Sequence, residues 1–221
     1  MDPRRGIGTA LFGAGLVVLS CSSERSSAPE GTAPDATARV AELRARFPRV
    51  LALAGSDGKR HVSRRANVVL PSRAGREVVL EDATSRLSVR FALQHVQDAR
   101  IEAADGFSIY RGALDGADIL HRVHPEGTED FVAFERPPSR EQLEYVVDVS
   151  RVAGLRLVSN TLEFLDEGGT PVLRVAPPYV VDSLGERHEA SLAVKGCDYD
   201  TSPAGLGWLT FAGCSLEAVW L

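Results

Sequence analysis

Lysine is nearly missing from this chain: Lys59 and Lys195 are the only two among 25 basic residues. We read that imbalance as the codon usage of a GC-rich genome and not as an arginine-rich binding patch. The formal net charge is −5, so there is no basic excess to hold a polyanion and a nucleic-acid partner is not expected. Aromatic residues make up 6%, with two tryptophans, and there are three cysteines, too few for a disulfide scaffold. No apolar run is long enough for a permanent membrane span, because the longest, Ile7 to Leu19, rises only about 20 Å as a helix against a hydrocarbon core of roughly 30 Å. No clean repeat is visible, so a propeller or solenoid has no support. What remains is an ordinary globular composition over 221 residues, 44% hydrophobic and 25% charged, enough for one domain with a tail.

The amino terminus has a charged start, Met1-Asp2-Pro3-Arg4-Arg5, followed by the apolar run, which is the profile of a signal peptide over residues 1–20. The run closes on Val18-Leu19-Ser20-Cys21 and continues as Ser22-Ser23. This resembles the lipobox of bacterial lipoproteins, with Leu19 in place of the usual small residue. The resemblance implies cleavage before Cys21 and lipid attachment, palmitate included, to its thiol. More than one acyl chain suffices for stable anchoring. Ser22, not Asp, after the cysteine implies sorting to the outer membrane. A net acidic body is repelled by an anionic bilayer, which leaves the lipid as the sole link to the membrane.

Residues 21–35 then read as a flexible tether, rich in Ser, Pro, Ala and Gly. From Asp35, a candidate N-cap, the pattern becomes helical: Val40, Leu43 and Phe47 share one face and Pro48 ends the run. Arg39, Arg44 and Arg46 are expected on the wet side or near the carboxyl end. Beyond Pro48 the period is two, clearest in Ser85 to Leu93, where Leu87, Val89, Phe91 and Leu93 alternate with polar or small residues. About a dozen short strands are expected, separated by turn signals such as Asp105-Gly106, Asp115-Gly116 and Glu126-Gly127. The fold class that follows is mainly β, an antiparallel two-sheet sandwich-like body over residues 36–221 with one short N-terminal helix.

From Gly106 to Cys197 the order of phrases is distinctive: Tyr110-Arg111-Gly112, Asp115-Gly116-Ala117-Asp118, Gly127-Thr128-Glu129-Asp130, a strand at Leu143 to Val149, Gly169-Thr170-Pro171 and Pro177-Pro178-Tyr179. This stretch, less than half of the chain, resembles the N-terminal β module that precedes repeat arrays in large exported bacterial surface proteins. The resemblance implies a non-catalytic extracellular β module. The chain departs from that pattern at Leu221, where such proteins continue into repeats, which leaves a truncated remnant of a longer repeat protein as one alternative.

Cys197 and Cys214 are expected to form a disulfide in an oxidising compartment. It would close a loop of about 18 residues and remove on the order of 3 kcal/mol of unfolded-chain entropy. Trp208, inside that loop, is expected to cap the core, and Trp220 to pack in the core or at a sheet edge. His121 to Asp130 is the densest cluster of ligand-type side chains, and a metal-binding protein or metal-dependent hydrolase using it is the competing reading. Against it, His121 and His124 fall on opposite faces of a strand, and the segment is expected to be a solvated strand end and loop. Asp198-Tyr199-Asp200, Asp115 and Asp118 read as turn formers, not calcium ligands. His188-Glu189 has Leu192 where the second histidine of a zinc protease helix must stand, and Gly55-Ser56-Asp57-Gly58 lacks the spacing of a nucleophile elbow. The expectation is therefore a lipid-anchored structural or binding protein of the cell envelope, not an enzyme. It would have no cofactor, metal or catalytic residue, would meet the membrane through Cys21, and would present its body to another envelope protein.

Overall fold

The computed structural model describes residues 10–14, 35–51, 65–202 and 214–219. Cys21, residues 18–20, the tether at 22–34, Trp208 and Trp220 lie outside these, as do the turn signals near Ser56.

The chain is mainly β, with a single short helix among the described residues, α1 (Ala36–Arg46). Asp35 caps it, its Oδ1 accepting from the Ala38 amide at 2.7 Å, and the Phe47 amide closes the last turn on the Leu43 carbonyl. The strands in chain order are β1 (Ala10–Ala14), β2 (Ala66–Val69), β3 (Val78–Asp82), β4 (Ser88–Leu93), β5 (Ile101–Ala104), β6 (Phe107–Leu114), β7 (Ala117–His124) and β8 (Gly127–Ala133). Then follow β9 (Gln142–Asp148), β10 (Gly154–Val158), β11 (Thr161–Leu165), β12 (Pro171–Val175), β13 (Tyr179–Val181), β14 (Arg187–Glu189), β15 (Ser191–Lys195) and β16 (Cys214–Val219).

One sheet has six strands in the order β15-β16-β9-β4-β3-β2, all antiparallel. The other has the order β10-β11-β12-β1-β8-β7-β6-β5, while β13 and β14 form a separate ribbon. Its pairings are antiparallel except at β1, which runs parallel to both β12 and β8. The second sheet is thus two antiparallel halves, β10–β12 and β5–β8, joined through one strand.

Each half packs against the six-stranded sheet with its own core. Leu155, Leu162, Phe164 and Leu173 meet Leu80, Val89, Phe91 and Val147. Tyr110, Ile119 and Val132 meet Leu93 and Leu143. The β5–β8 half is covered on its other face as well, where Phe107, Ile109, Leu120 and Phe131 receive Val40, Leu43 and Phe47 of α1 and Leu51 beyond it.

That double covering explains which strands the sequence pattern hides. The first five residues of β7 are buried in succession, so no period of two marks the strand. What the sequence does mark is its turns: Asp105-Gly106 and Asp115-Gly116 both have positive φ in pairs (47° and 81°, 48° and 81°), the geometry of tight two-residue hairpins. Ser159-Asn160 turns β10 into β11 in the same way (φ 49° and 59°) without a glycine. Asn160 is kept there by its amide, which donates to the Ala190 carbonyl and accepts from the Leu192 amide, both at 2.7 Å.

Arg39 departs from expectation. It lies on the buried side of α1, not the wet side, because Asp118 of β7 meets it there.

Candidate functional site

The hairpin of β7 and β8 places His121 opposite Asp130, Arg122 opposite Glu129 and Val123 opposite Thr128. Alternation sends His121 and Asp130 into the space between the sheets and Arg122 and Glu129 to the helix side. The expectation of a solvated strand end fails for this pair: His121 and Asp130 are 6% and 5% exposed, because the six-stranded sheet covers that face. His124 does lie near the hairpin end, beside Glu126 at 3.2 Å and on the strand face opposite to His121 in register.

His121 Nδ1 and Asp130 Oδ1 are 2.7 Å apart, and the buried Thr128 hydroxyl donates to the same oxygen at 3.2 Å. Tyr110 stands edge-on to the imidazole at 5.6 Å, and its hydroxyl donates to the Pro71 carbonyl at 2.6 Å. Burial, reinforced by the nearby Asp130 charge, pushes the Tyr110 hydroxyl up to about 12. Tyr145 of β9 is raised for the same two reasons. A cavity of about 20 Å³ lies among Pro71, Gly75, Phe91, Tyr110, His121 and Tyr145, room for about one water.

A carboxylate-oriented imidazole is half of a nucleophilic device. The other half is a serine, threonine or cysteine at the second ring nitrogen; none lines this cavity, while Ser108 of β6 stands opposite His121 in the β6–β7 ladder. Nor do three or more metal-ligating side chains converge anywhere among the described residues. Chemically, the pair is suited to bracing two strands inside the sandwich.

The opposite face carries a second charged cluster. Arg39 Nε donates to Asp118 Oδ2 at 2.6 Å, Nη1 to Glu42 at 2.8 Å, and Nη2 to Glu135. Burial alone would lower the guanidinium pKa, but these carboxylates outweigh it and the net direction is up. Asp118 also accepts from the Gly112 amide at 2.8 Å, so it serves as a cross-strand brace and not as a calcium ligand. Arg122 lies over the rings of Phe107 and Phe131 at 5.6 and 5.4 Å. On β10–β12 the charges sit on the outer face, with Glu163 held between Arg156 at 2.6 Å and Arg174 at 2.8 Å.

β8 borders more than β7. Glu129 and Asp130 are paired on their other side with Gly13 and Ala14, while Ala10, Leu11 and Phe12 pair with Leu173, Arg174 and Val175 of β12. Part of the apolar run read as a signal peptide therefore lies between the two halves of the sheet.

The remaining sites fall as follows. Cys197 is partly buried and disulfide-bonded. Cys214 opens β16, whose ladder with β15 ends at Lys195 opposite Ser215, so both cysteines stand just past the same end. His188 is exposed in β14, 3.1 Å from Asp182, and Asp200 accepts from the Ser202 amide as a turn former does. One surface cleft that sequence reasoning missed, of about 290 Å³, has Leu114, Phe134, Pro138 and Leu143 in its wall together with Gln94, His95, Asp115, Arg140 and Glu144. Its residues come from separate loops and strands with no common spacing to betray them. No family model, curated protein or solved structure matches this chain.

Proposed function

We propose that the chain is a lipid-anchored, non-catalytic protein of the bacterial cell envelope, held in the outer membrane through Cys21, whose β body serves as a binding module. The observation that carries this reading is the run of Ile7 to Leu19 ending on Val18-Leu19-Ser20-Cys21-Ser22, followed by a Pro- and Ser-rich spacer before the helix cap at Asp35. In an oxidising compartment the Cys197 bridge is assigned to Cys214, tying β15 to β16 at the end of their ladder.

Growing cells of the native host with a clickable fatty acid tests the anchor. Label is expected on the wild-type protein and absent from Cys21→Ser. Equal label on both, or none on either, overturns the reading. On this reading cleavage before Cys21 also removes β1 from the finished protein.

A further inference from the structure

We infer that the cleft between the β6–β7 turn and the β8–β9 connection binds a small zwitterion with an apolar side chain: an apolar amino acid or dipeptide with both ends free. This deepens the reading of the β body as a binding module and rests on it, but not on the anchor at Cys21. Three segments far apart in sequence form the cleft: Gln94 and His95 after β4, Leu114 and Asp115 at the end of β6, and residues 134–144 leading into β9. A hollow of about 360 Å³ shares Asp115, Phe134, Pro138 and Ser139 with it, so the two adjoin. Each is near the lower end of ordinary small-molecule sites, roughly 300–1,000 Å³. Pro137 and Pro138 fix two backbone angles of the connection, which limits how far that wall can collapse without a ligand.

The ligand's chemistry follows from the wall. Leu114, Phe134 and Leu143, all buried in the sandwich, and the half-buried Pro138 give it an apolar part. Both signs of charge share the rest. Asp115 and Arg140 line the cleft, and among the described residues neither side chain has a hydrogen bond or ion pair, with the other or with a third group. The β6–β7 turn uses the backbone of Asp115, at φ 48°, and leaves its carboxylate over. Opposite charges that share a small cleft without neutralising each other suit a ligand carrying both: an ammonium for Asp115, a carboxylate for the guanidinium fork of Arg140, and an apolar side chain on the floor. A simple anion or cation would satisfy one and be repelled by the other. His95 is a separate sign of use. Its φ of 60° is a conformation that glycine adopts freely and a histidine does not, yet its side chain is 64% exposed and faces Glu144 at 3.8 Å. Packing does not account for a histidine there; a ring available to a ligand does.

Isothermal titration of the full chain in detergent with L-leucine and with dileucine tests this. Saturable binding of at least one is expected, weakened at least tenfold when its amine is acetylated or its carboxylate is converted to an amide. Arg140→Gln and Asp115→Asn should weaken it by a similar factor, asparagine being a residue that keeps the turn. The capped ligands need no variant, so they decide the matter even where a substitution disturbs the fold. No binding of either probe, or equal binding of free and capped forms, overturns the proposal. Binding that survives both substitutions unchanged overturns it too, since the ligand then sits elsewhere. Fatty-acid label at Cys21 is independent of each result, so the cleft and the anchor fail separately.

Discussion

The two halves of the divided sheet face the same six-stranded partner but are built differently. β10–β12 puts only apolar side chains toward the six-stranded sheet and its charges on the opposite face, where Glu163, itself buried, is held between Arg156 and Arg174. β5–β8 is buried on both faces and carries charge on both: His121–Asp130 between the sheets, Arg39–Asp118 beneath the helix. The first half is held by shape and area removed from water. A slip of one residue would strand a buried charge in either half, Glu163 in the first, but only in the second does it do so on both faces of the sheet. A doubly covered sheet has no wet face on which to place the polar residues that set register, so here they are inside and paired.

The comparison breaks most visibly by truncation in the apolar half. Phe164→Ala is expected to cost about 3–5 kcal/mol in urea unfolding, the range for a large aromatic removed from a packed core. In the polar half the same measurement on Asp118→Ala should show a loss of about 3 kcal/mol, since Arg39 stays buried without its strongest partner. Replacing both Arg39 and Asp118 by leucine should recover most of that loss, whereas no second substitution of this kind rescues Phe164→Ala. A double variant no better than Asp118→Ala would show that the cluster supplies more than mutual compensation.

A third effect concerns Tyr110 of the polar half. Tyr110 remains neutral in the fold up to about pH 12, whereas a free tyrosine ionises near 10. Unfolding therefore releases a proton between these values: the contribution is complete below pH 10 and lost as pH rises to about 12, on the order of 2–3 kcal/mol in all. Tyr110→Phe should lessen the slope of unfolding free energy against pH in that window, with Tyr145 supplying the remainder, and an unchanged slope would refute the assignment. Smaller again is Asn160→Ala, expected to cost about 1–2 kcal/mol for two lost backbone contacts at the β10–β11 turn. Asp35→Ala should cost about 1 kcal/mol through the helix cap, read from the thermal midpoint.

The sequence revealed those parts of the fold that have a wet side. α1 shows its cap, its apolar face and its stop at Pro48, and β4 shows its alternation. β6 and β7 do not, because a strand buried on both faces has no period to read; only the Asp-Gly pairs at their ends gave the hairpins away. The turn at Ser159-Asn160 was invisible for another reason: its positive φ values are held by contacts from Asn160 to residues about thirty positions away. At the candidate site, the adjacency of His121 and Asp130 is a fact of register, and their burial depends on a sheet contributed by distant strands. The place of Ala10–Ala14 between β8 and β12 was equally illegible, since five small and apolar residues inside an unbroken apolar run carry no mark of a sheet position.

Strand-resolved amide hydrogen exchange addresses most directly whether the second sheet is two antiparallel halves joined through β1. The account predicts that, in the full chain, the β8 and β12 amides paired with β1 are protected, and that in a variant lacking residues 1–20 they exchange fast while β7 and β11 stay protected. Equal protection of those β8 and β12 amides with and without residues 1–20 would contradict it.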